Sequence, residues 1–174
     1  IGFDFIASKK SVKYGVKYCQ KIEGYSVEHF CGNDIKESHI KLLSKMHKKR
    51  WGSQSAFSDS KRYLFYSTNK SNKVFSIIRL GDEILAVSYC MIYNDILLFH
   101  TPVFNVDLHK HSPLQVLLYE LFMFCKNKNI KEFDFGLGNE NYKIRFSNSD
   151  RILYNYFAGS NILQNLKIKI SLFL

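Results

Sequence analysis

The stretch from Lys73 to Val103 constrains this chain most. It holds three strand-like runs, Lys73–Leu80, Glu83–Tyr93 and Ile96–Val103, separated only by Gly81-Asp82 and Asn94-Asp95. Two-residue links of Gly, Asn and Asp join antiparallel neighbours, so the three runs predict a meander. The middle run is apolar on both faces, which predicts a central strand.

The flanking sequence supplies helices and two further strands. Ser8 to Lys21 is a mostly polar helical pattern with Val12, Val16 and Cys19 on one side, ended by Gly24. Tyr25–Cys31 alternates as a strand. Asn33 or Asp34 is positioned to cap a helix through Arg50, with Ile35, His39, Leu42 and Met46 at helical spacing. "WGSQ" breaks it, and Asp59 caps a second helix to about Ser67. Beyond the meander, Ser112 suits a helix cap and Pro113 the first helical position, where a missing N–H costs nothing. Leu114, Leu117, Leu118, Leu121 and Cys125 form that helix's buried stripe. A strand over Ile130–Phe135 follows. A crossover of this length makes it parallel to Ile96–Val103. A short helix over Asn141–Phe146 and a last strand over Ile152–Phe157 complete the order. The end of the chain fits a helix through Ile162, Leu163, Leu166 and Ile170, although its apolar residues also alternate. The expected division is a linking segment and helix over 1–24, a main domain over 25–160 and a C-terminal helix over 161–174.

With 174 residues, 46% hydrophobic and 16% aromatic, the chain suffices for one domain with a real core and is not a disordered tail. The formal charge of +10 favours phosphates, nucleic acid or acidic lipid without choosing among them. Cys19, Cys31, Cys90 and Cys125 are widely spaced with no C-x-x-C, and Cys90 and Cys125 lie in apolar runs. They read as reduced, buried small hydrophobes rather than zinc ligands. His109 and His111 form an H-x-H with no third or fourth ligand at a telling spacing, so no metal is expected. There is no run of 18 apolar residues and no visible signal peptide, so membrane insertion is not expected and a cytoplasmic location is.

The segment "FDFGLGNENYKIRFS", Phe133 to Ser147, carries the chemistry. It is not a dinucleotide loop, because Asn141 stands where the third glycine belongs, and it is not a P-loop. Asp134, Phe135, Gly138, Tyr142, Lys143, Arg145 and Phe146 match the C-terminal signature of an acyltransferase family first noted beside cellulose-biosynthesis genes, the CelD/BcsL-like group. "MHKKRWG", Met46 to Gly52, resembles that family's L-H-x-x-R-W segment, and "HSPLQVLLYEL" is similar to its S-P-G-x-L-L helix start. The element order also resembles the GCN5-related N-acyltransferase (GNAT) fold. The resemblance implies an α/β (α+β) architecture: a mixed central sheet with a β-α-β crossover and flanking helices. It implies an acyl-CoA N-acyltransferase, with acetyl-CoA or another acyl-CoA as co-substrate and an amine acceptor. Distantly related Fem-type transferases use aminoacyl-tRNA, and both groups commonly carry two such domains in tandem. This chain resembles the C-terminal one and opens on Ile1, so a second GNAT-like domain is expected upstream.

The resemblance also places a site. In this fold the strands before and after the crossover helix part, and the bared backbone pairs with a pantetheine arm. The helix start, with Ser112, Leu114 and Gln115, would aim N–H groups at the pyrophosphate. Leu114 departs from the family's usual glycine, which favours a non-catalytic binding domain. Lys143 would reach the pyrophosphate or stabilise an oxyanion, the alternative being a solvated lysine. Tyr142 and Arg145 would hold the same phosphate edge or anchor the short helix. Asp134, Glu140 and His100 are candidates for removing the acceptor's proton. Asp134 lies between two phenylalanines, so a partner such as Lys143 or Arg145 is expected, and its role is equally open to being structural. His100 could instead be a hydrogen-bonded core histidine. Arg50 and Trp51 would hold substrate or simply pack a helix end. The acceptor would be an amino sugar of cell-surface polysaccharide synthesis, an amino acid or a polyamine. A Fem-like transfer from tRNA is the alternative chemistry.

Overall fold

The computed structural model describes residues 9–154 apart from residue 69. One five-stranded sheet runs in chain order: β1 (Ser26–Cys31), β2 (Lys73–Leu80), β3 (Glu83–Tyr93), β4 (Ile96–Phe104) and β5 (Glu132–Asp134). The first four are antiparallel neighbours, and β5 joins β4 in parallel, as a crossover through the helix between them requires. This is the mixed α/β sheet the sequence predicts, with β3 at its centre and buried over most of its length. Asn94 and Asp95 take φ of +46° and +63°, the left-handed geometry a tight hairpin link needs.

Alternation along the strands divides the interior in two. Val74 and Ile78 of β2 face a core built with α1 (Lys10–Cys19) and α4 (Pro113–Asn127), through Val12, Val16, Leu117 and Phe122. Phe75 and Ile77 face the opposite core, covered by α2 (Glu37–Trp51) and α3 (Ser60–Ser67) through Ile40, Leu43 and Tyr66. A short α5 (Asn141–Phe146) follows β5 and buries Phe146 against the first core. Gly24 meets Gly81 so closely that a Cβ on Gly24 would lie 2.6 Å from the Gly81 Cα. The Gly81 N–H donates to the Gly24 carbonyl at 3.1 Å, so the approach to β1 is sealed onto the β2–β3 turn.

Several boundaries differ from expectation. Asn33 and Asp34 sit in a separate 3₁₀ turn, Gly32–Asp34, and α2 starts later. There the His39 Nδ1 accepts the Lys36 N–H at 3.2 Å, an N-terminal bond from a residue that carries no cap signature. The deepest α2 residues are Ile40 and Leu43, while His39, Leu42 and Met46 are half-buried. On α4, Leu114 is half-buried, and Val116, Phe122 and Phe124 join the expected stripe. Ser112 precedes the helix in a left-handed conformation (φ +52°), and its hydroxyl makes no cap bond. β5 is only three residues long, because its approach is used elsewhere: the Ile130 N–H bonds the end of α4 at Cys125 O, and Lys131 N–H bonds Asp95 O. Residues 152–154 carry no regular structure. The rest of the expected last strand, the expected C-terminal helix and Ser8 lie outside the described residues.

His29 of β1 lies under α4, with its ring 4.8 Å from that of Phe124 and its Nδ1 2.8 Å from Ser76 Oγ. Burial pushes its pKa down from 6.5 to about 4. The unfolded chain therefore binds more protons between these values, so stability is full above pH 6.5 and falls as pH drops toward 4. Urea unfolding at pH 7 and pH 5 should show this loss, and His29→Leu should flatten it. An equal pH slope in the variant would assign the acid sensitivity to other groups.

Candidate active site

The site begins with an irregularity in β4. Tyr89 pairs with Thr101 and Met91 with Leu98, so Phe99 and His100 together stand against Cys90 alone. Such a bulge bends the strand and re-aims its side chains. Leu97, before it, and Phe99, within it, pack toward α1 and α4. After it, Thr101 and Val103 turn toward α3, where the Tyr66 hydroxyl lies 2.7 Å from Thr101 Oγ1. The parallel ladder stops at the same place, its last pair being Leu98 with Asp134. β4 continues to Phe104, whereas the chain beyond Asp134 turns away. The turn is held by Asp134 itself, whose Oδ1 accepts the Gly136 N–H at 2.7 Å. Among the described residues, β4 therefore has no strand neighbour on that side from Phe99 onward.

Lys73, Met91, Leu98 and Asp134 pair in one row across four strands, so their side chains share the face that α3 covers. His100 joins that face. Its ring lies 5.9 Å from both Phe65 and Tyr66, and its Nδ1 lies 2.7 Å from Thr101 Oγ1 and 3.4 Å from the Tyr66 hydroxyl. The residue is exposed, yet desolvation of the ring, followed by the nearby Lys73 ammonium, holds its pKa below the ordinary histidine value. Its Nδ1 is anchored beside the Thr101 hydroxyl. The structure thus brings His100 and Asp134 to one face of the parting strands.

Lys143 is 8% exposed, which excludes the solvated reading. Its ammonium lies 2.9 Å from Glu140 Oε2 and donates to the Leu137 carbonyl, closing the loop that follows β5. That pairing lowers the Glu140 pKa, the hydrogen bond from Lys143 being the main cause. The expected ion pair of Lys143 with Asp134 is not formed; Lys143 pairs with Glu140, and Asp134 spends its Oδ1 on the turn. Gly138 has φ +111°, a backbone conformation that favours glycine, and a Cβ there would push the Glu140 carboxylate aside. Tyr142 is half-buried with its ring 6.1 Å from Phe135, and burial, then Glu140, raises its pKa.

A cavity of about 810 Å³ opens where α4 begins. Lys110, His111 and Ser112 line it from the segment after β4, and Arg145 lines it from the helix after β5. Lys9, Lys10, Tyr14 and Tyr18 line it from α1 and the residue before it. α1 crosses the start of α4 closely, since a Cβ on Gly15 would lie 3.3 Å from Ser112 Cβ. The expected phosphate residues Ser112 and Arg145 thus share one cationic cavity, while Leu114 and Gln115 are half-buried on the first turn of α4 outside its lining. Arg50 and Trp51 stand apart at the end of α2, where the guanidinium lies over the Trp51 and Phe104 rings at 4.5 and 3.7 Å. The sequence alone did not single out Lys73, Tyr66 or Lys110. A lysine heading a mostly apolar strand was the available signal for Lys73. Among the described residues no group of three or more His, Cys, Asp or Glu is placed to hold a metal, and no helix is long and apolar enough to cross a membrane.

The sheet thus parts beside the crossover helix, with His100 on one face of the parting strands and cationic side chains in the cavity at the helix start. The chain belongs to the acetyltransferase (GNAT) domain family, whose family model matches residues 7–144. Among solved structures it is similar to FemX (TM-score 0.61, 8% identity, covering 81% of this chain and 52% of that one). It is similar to L-PGS from Bacillus licheniformis (TM-score 0.58, 15% identity, 81% and 45%). It is also similar to AAC(6')-Iy in complex with the bisubstrate analogue CoA-S-monomethyl-acetylneamine (TM-score 0.52, 8% identity, 79% and 100%). The chain spans about half the length of FemX and L-PGS. No curated protein sequence matches it.

Proposed function

We propose that this domain transfers an acyl group, acetyl in the simplest case, from coenzyme A to the nitrogen of an amine acceptor. The observation that carries the reading is the parting of β4 from β5 at Leu98 and Asp134, together with the cationic cavity that follows both strands. The bared edge of β4 offers N–H and C=O groups to the pantetheine amides, as a strand neighbour would. The phosphates then reach Lys110, Ser112 and Arg145. Lys143 keeps the loop after β5 in shape, and with Glu140 committed to it, the base is His100. As the amine attacks the thioester carbonyl, the C–N bond forms and His100 takes the amine proton; the C–S bond of the tetrahedral intermediate then breaks, and the departing coenzyme A thiolate takes that proton back from the His100 imidazolium. Asp134, on the same face, orients the acceptor. The resemblance to the cellulose-biosynthesis-associated family makes an amino sugar the first acceptor to try.

The likeness to FemX and the same cationic cavity favour one second reading, a Fem-like transfer from aminoacyl-tRNA. Titration calorimetry separates the two. Acetyl-CoA should bind, with affinity reduced roughly tenfold by Arg145→Ala, the loss of one charged contact, and at least about tenfold by Lys143→Ala, which frees the loop. Binding of tRNA with a steep salt dependence and none of acetyl-CoA would establish the second reading. Binding of neither would leave a non-catalytic domain.

A further inference from the structure

We infer that His111 is a phosphate-binding residue of the cavity at the start of α4: its buried imidazole has an unpartnered nitrogen, and a phosphate of the donor supplies the missing partner. The inference rests on the reading in which that phosphate enters this cavity. His111 is 9% exposed and forms part of the cavity wall. Its Nδ1 is shielded from water and makes no hydrogen bond, and no other buried side-chain nitrogen or oxygen among the described residues is left in that state. Such a group costs stability, and folded proteins keep few of them. The rest of the residue is well held. Its ring stacks on Tyr18 of α1, with centres 5.6 Å apart and planes 23° apart. Its carbonyl accepts the Cys19 thiol at 3.6 Å, and burial pushes the pKa of that thiol up to about 11, so it stays a neutral donor. Two contacts from α1 thus place an imidazole whose nitrogen the protein itself does not satisfy. A phenyl ring would stack on Tyr18 without that cost. What the imidazole adds is a hydrogen bond to a ligand. A half-turn about Cβ–Cγ exchanges the two edges of the ring and keeps the stack, so the nitrogen can meet a ligand from the cavity side.

The charge of the cavity selects that ligand. Lys9, Lys10, Lys110 and Arg145 line it, and no carboxylate is among its lining residues. It opens at the first turn of the 15-residue α4, whose positive dipole end adds to the same field. An anion is what such a wall accepts, and a phosphate oxygen takes a strong hydrogen bond from an imidazole N–H. Tyr18 and Cys19 of α1 are the other groups against the ring, and neither is a carboxylate. In the empty cavity, desolvation and then Lys110 therefore hold the His111 pKa below the ordinary histidine value. A bound phosphate opposes both effects by placing negative charge beside the ring. Binding thus draws a proton onto His111, and affinity for the donor rises as pH falls from about 8 toward 6.

Titration calorimetry of the whole protein with acetyl-CoA, in two buffers of different ionisation heat, reads both affinity and proton uptake. His111→Phe keeps the stack on Tyr18 and removes both nitrogens. It should weaken acetyl-CoA binding roughly tenfold, the loss of one hydrogen bond to a charged group, and abolish the proton uptake seen in the wild type. Its thermal midpoint should equal or exceed that of the wild type, because the unpartnered nitrogen is gone. His111→Gln, which keeps an N–H donor but cannot titrate, should also lose the proton uptake. Unchanged affinity in His111→Phe overturns the inference, as does proton uptake that persists in both variants. Inorganic pyrophosphate separates this failure from failure of the donor assignment. If acetyl-CoA does not bind the wild type but pyrophosphate does, and His111→Phe weakens it, the donor assignment falls and the role of His111 stands. Binding of neither overturns both.

Discussion

His100→Ala should lower turnover by about 10²- to 10⁴-fold while acetyl-CoA affinity and folding stay close to wild type. The residue is exposed, so truncation empties little core volume. Its one short bond is to Thr101 Oγ1, which keeps the Tyr66 hydroxyl at 2.7 Å. What disappears is the imidazole placed at the β4 bulge, where the parallel ladder ends. Because desolvation and Lys73 hold the His100 pKa down, the acid limb of kcat/KM should fall below the ordinary histidine value, with full rate above it and loss as pH drops. Thiol release from acetyl-CoA across a panel of amino sugars, amino acids and polyamines measures both effects. Wild-type turnover in His100→Ala would pass the proton to Asp134. Asp134→Asn is the matching control, since an amide oxygen still accepts the Gly136 N–H and preserves the turn.

The parts of this site that were readable in sequence are those set by local chemistry. The hairpins announce themselves because Gly81, Asn94 and Asp95 tolerate left-handed backbone, and all three adopt it. Pro113 marks the start of α4 for the same kind of reason. The residues that depend on a partner strand were not readable. Nothing within β4 shows that His100 sits in a bulge, because the extra residue is defined only by its two-against-one pairing with Cys90. Lys73 looks like a solvated strand end until Phe65 of α3 and Tyr89 and Met91 of β3 close over it. The start of α2 was misplaced because Asn33 and Asp34 are good cap residues by type, yet the chain spends them on a 3₁₀ turn. Asp134 was expected to seek a cation, and a backbone N–H two residues on satisfied it first.

Phe122→Ala should destabilise the domain by about 3–5 kcal/mol, a large share of the roughly 5–15 kcal/mol typical of a folded domain. Phe122 is fully buried on α4 and meets Phe133 edge-on, with ring centres 4.6 Å apart. Phe133 in turn lies 5.5 Å from Phe99 and 4.9 Å from Phe135. These rings come from α4, from the β4 bulge and from both sides of the point where β5 leaves the sheet. β5 has only three residue pairs with β4, too few to fix a strand by its ladder alone. The aromatic cluster therefore does most of the work of holding β5 where the cleft needs it. Urea unfolding gives the stability loss. Phe65→Ala, at a residue 45% exposed, should cost far less and serves as the control. The loss should also be accompanied by weaker acetyl-CoA binding under conditions where Phe122→Ala is still folded, because the wall of the cleft is carried by the same rings. A stability change like that of Phe65→Ala would mean that the short ladder suffices and that the cluster is not what sets the cleft apart.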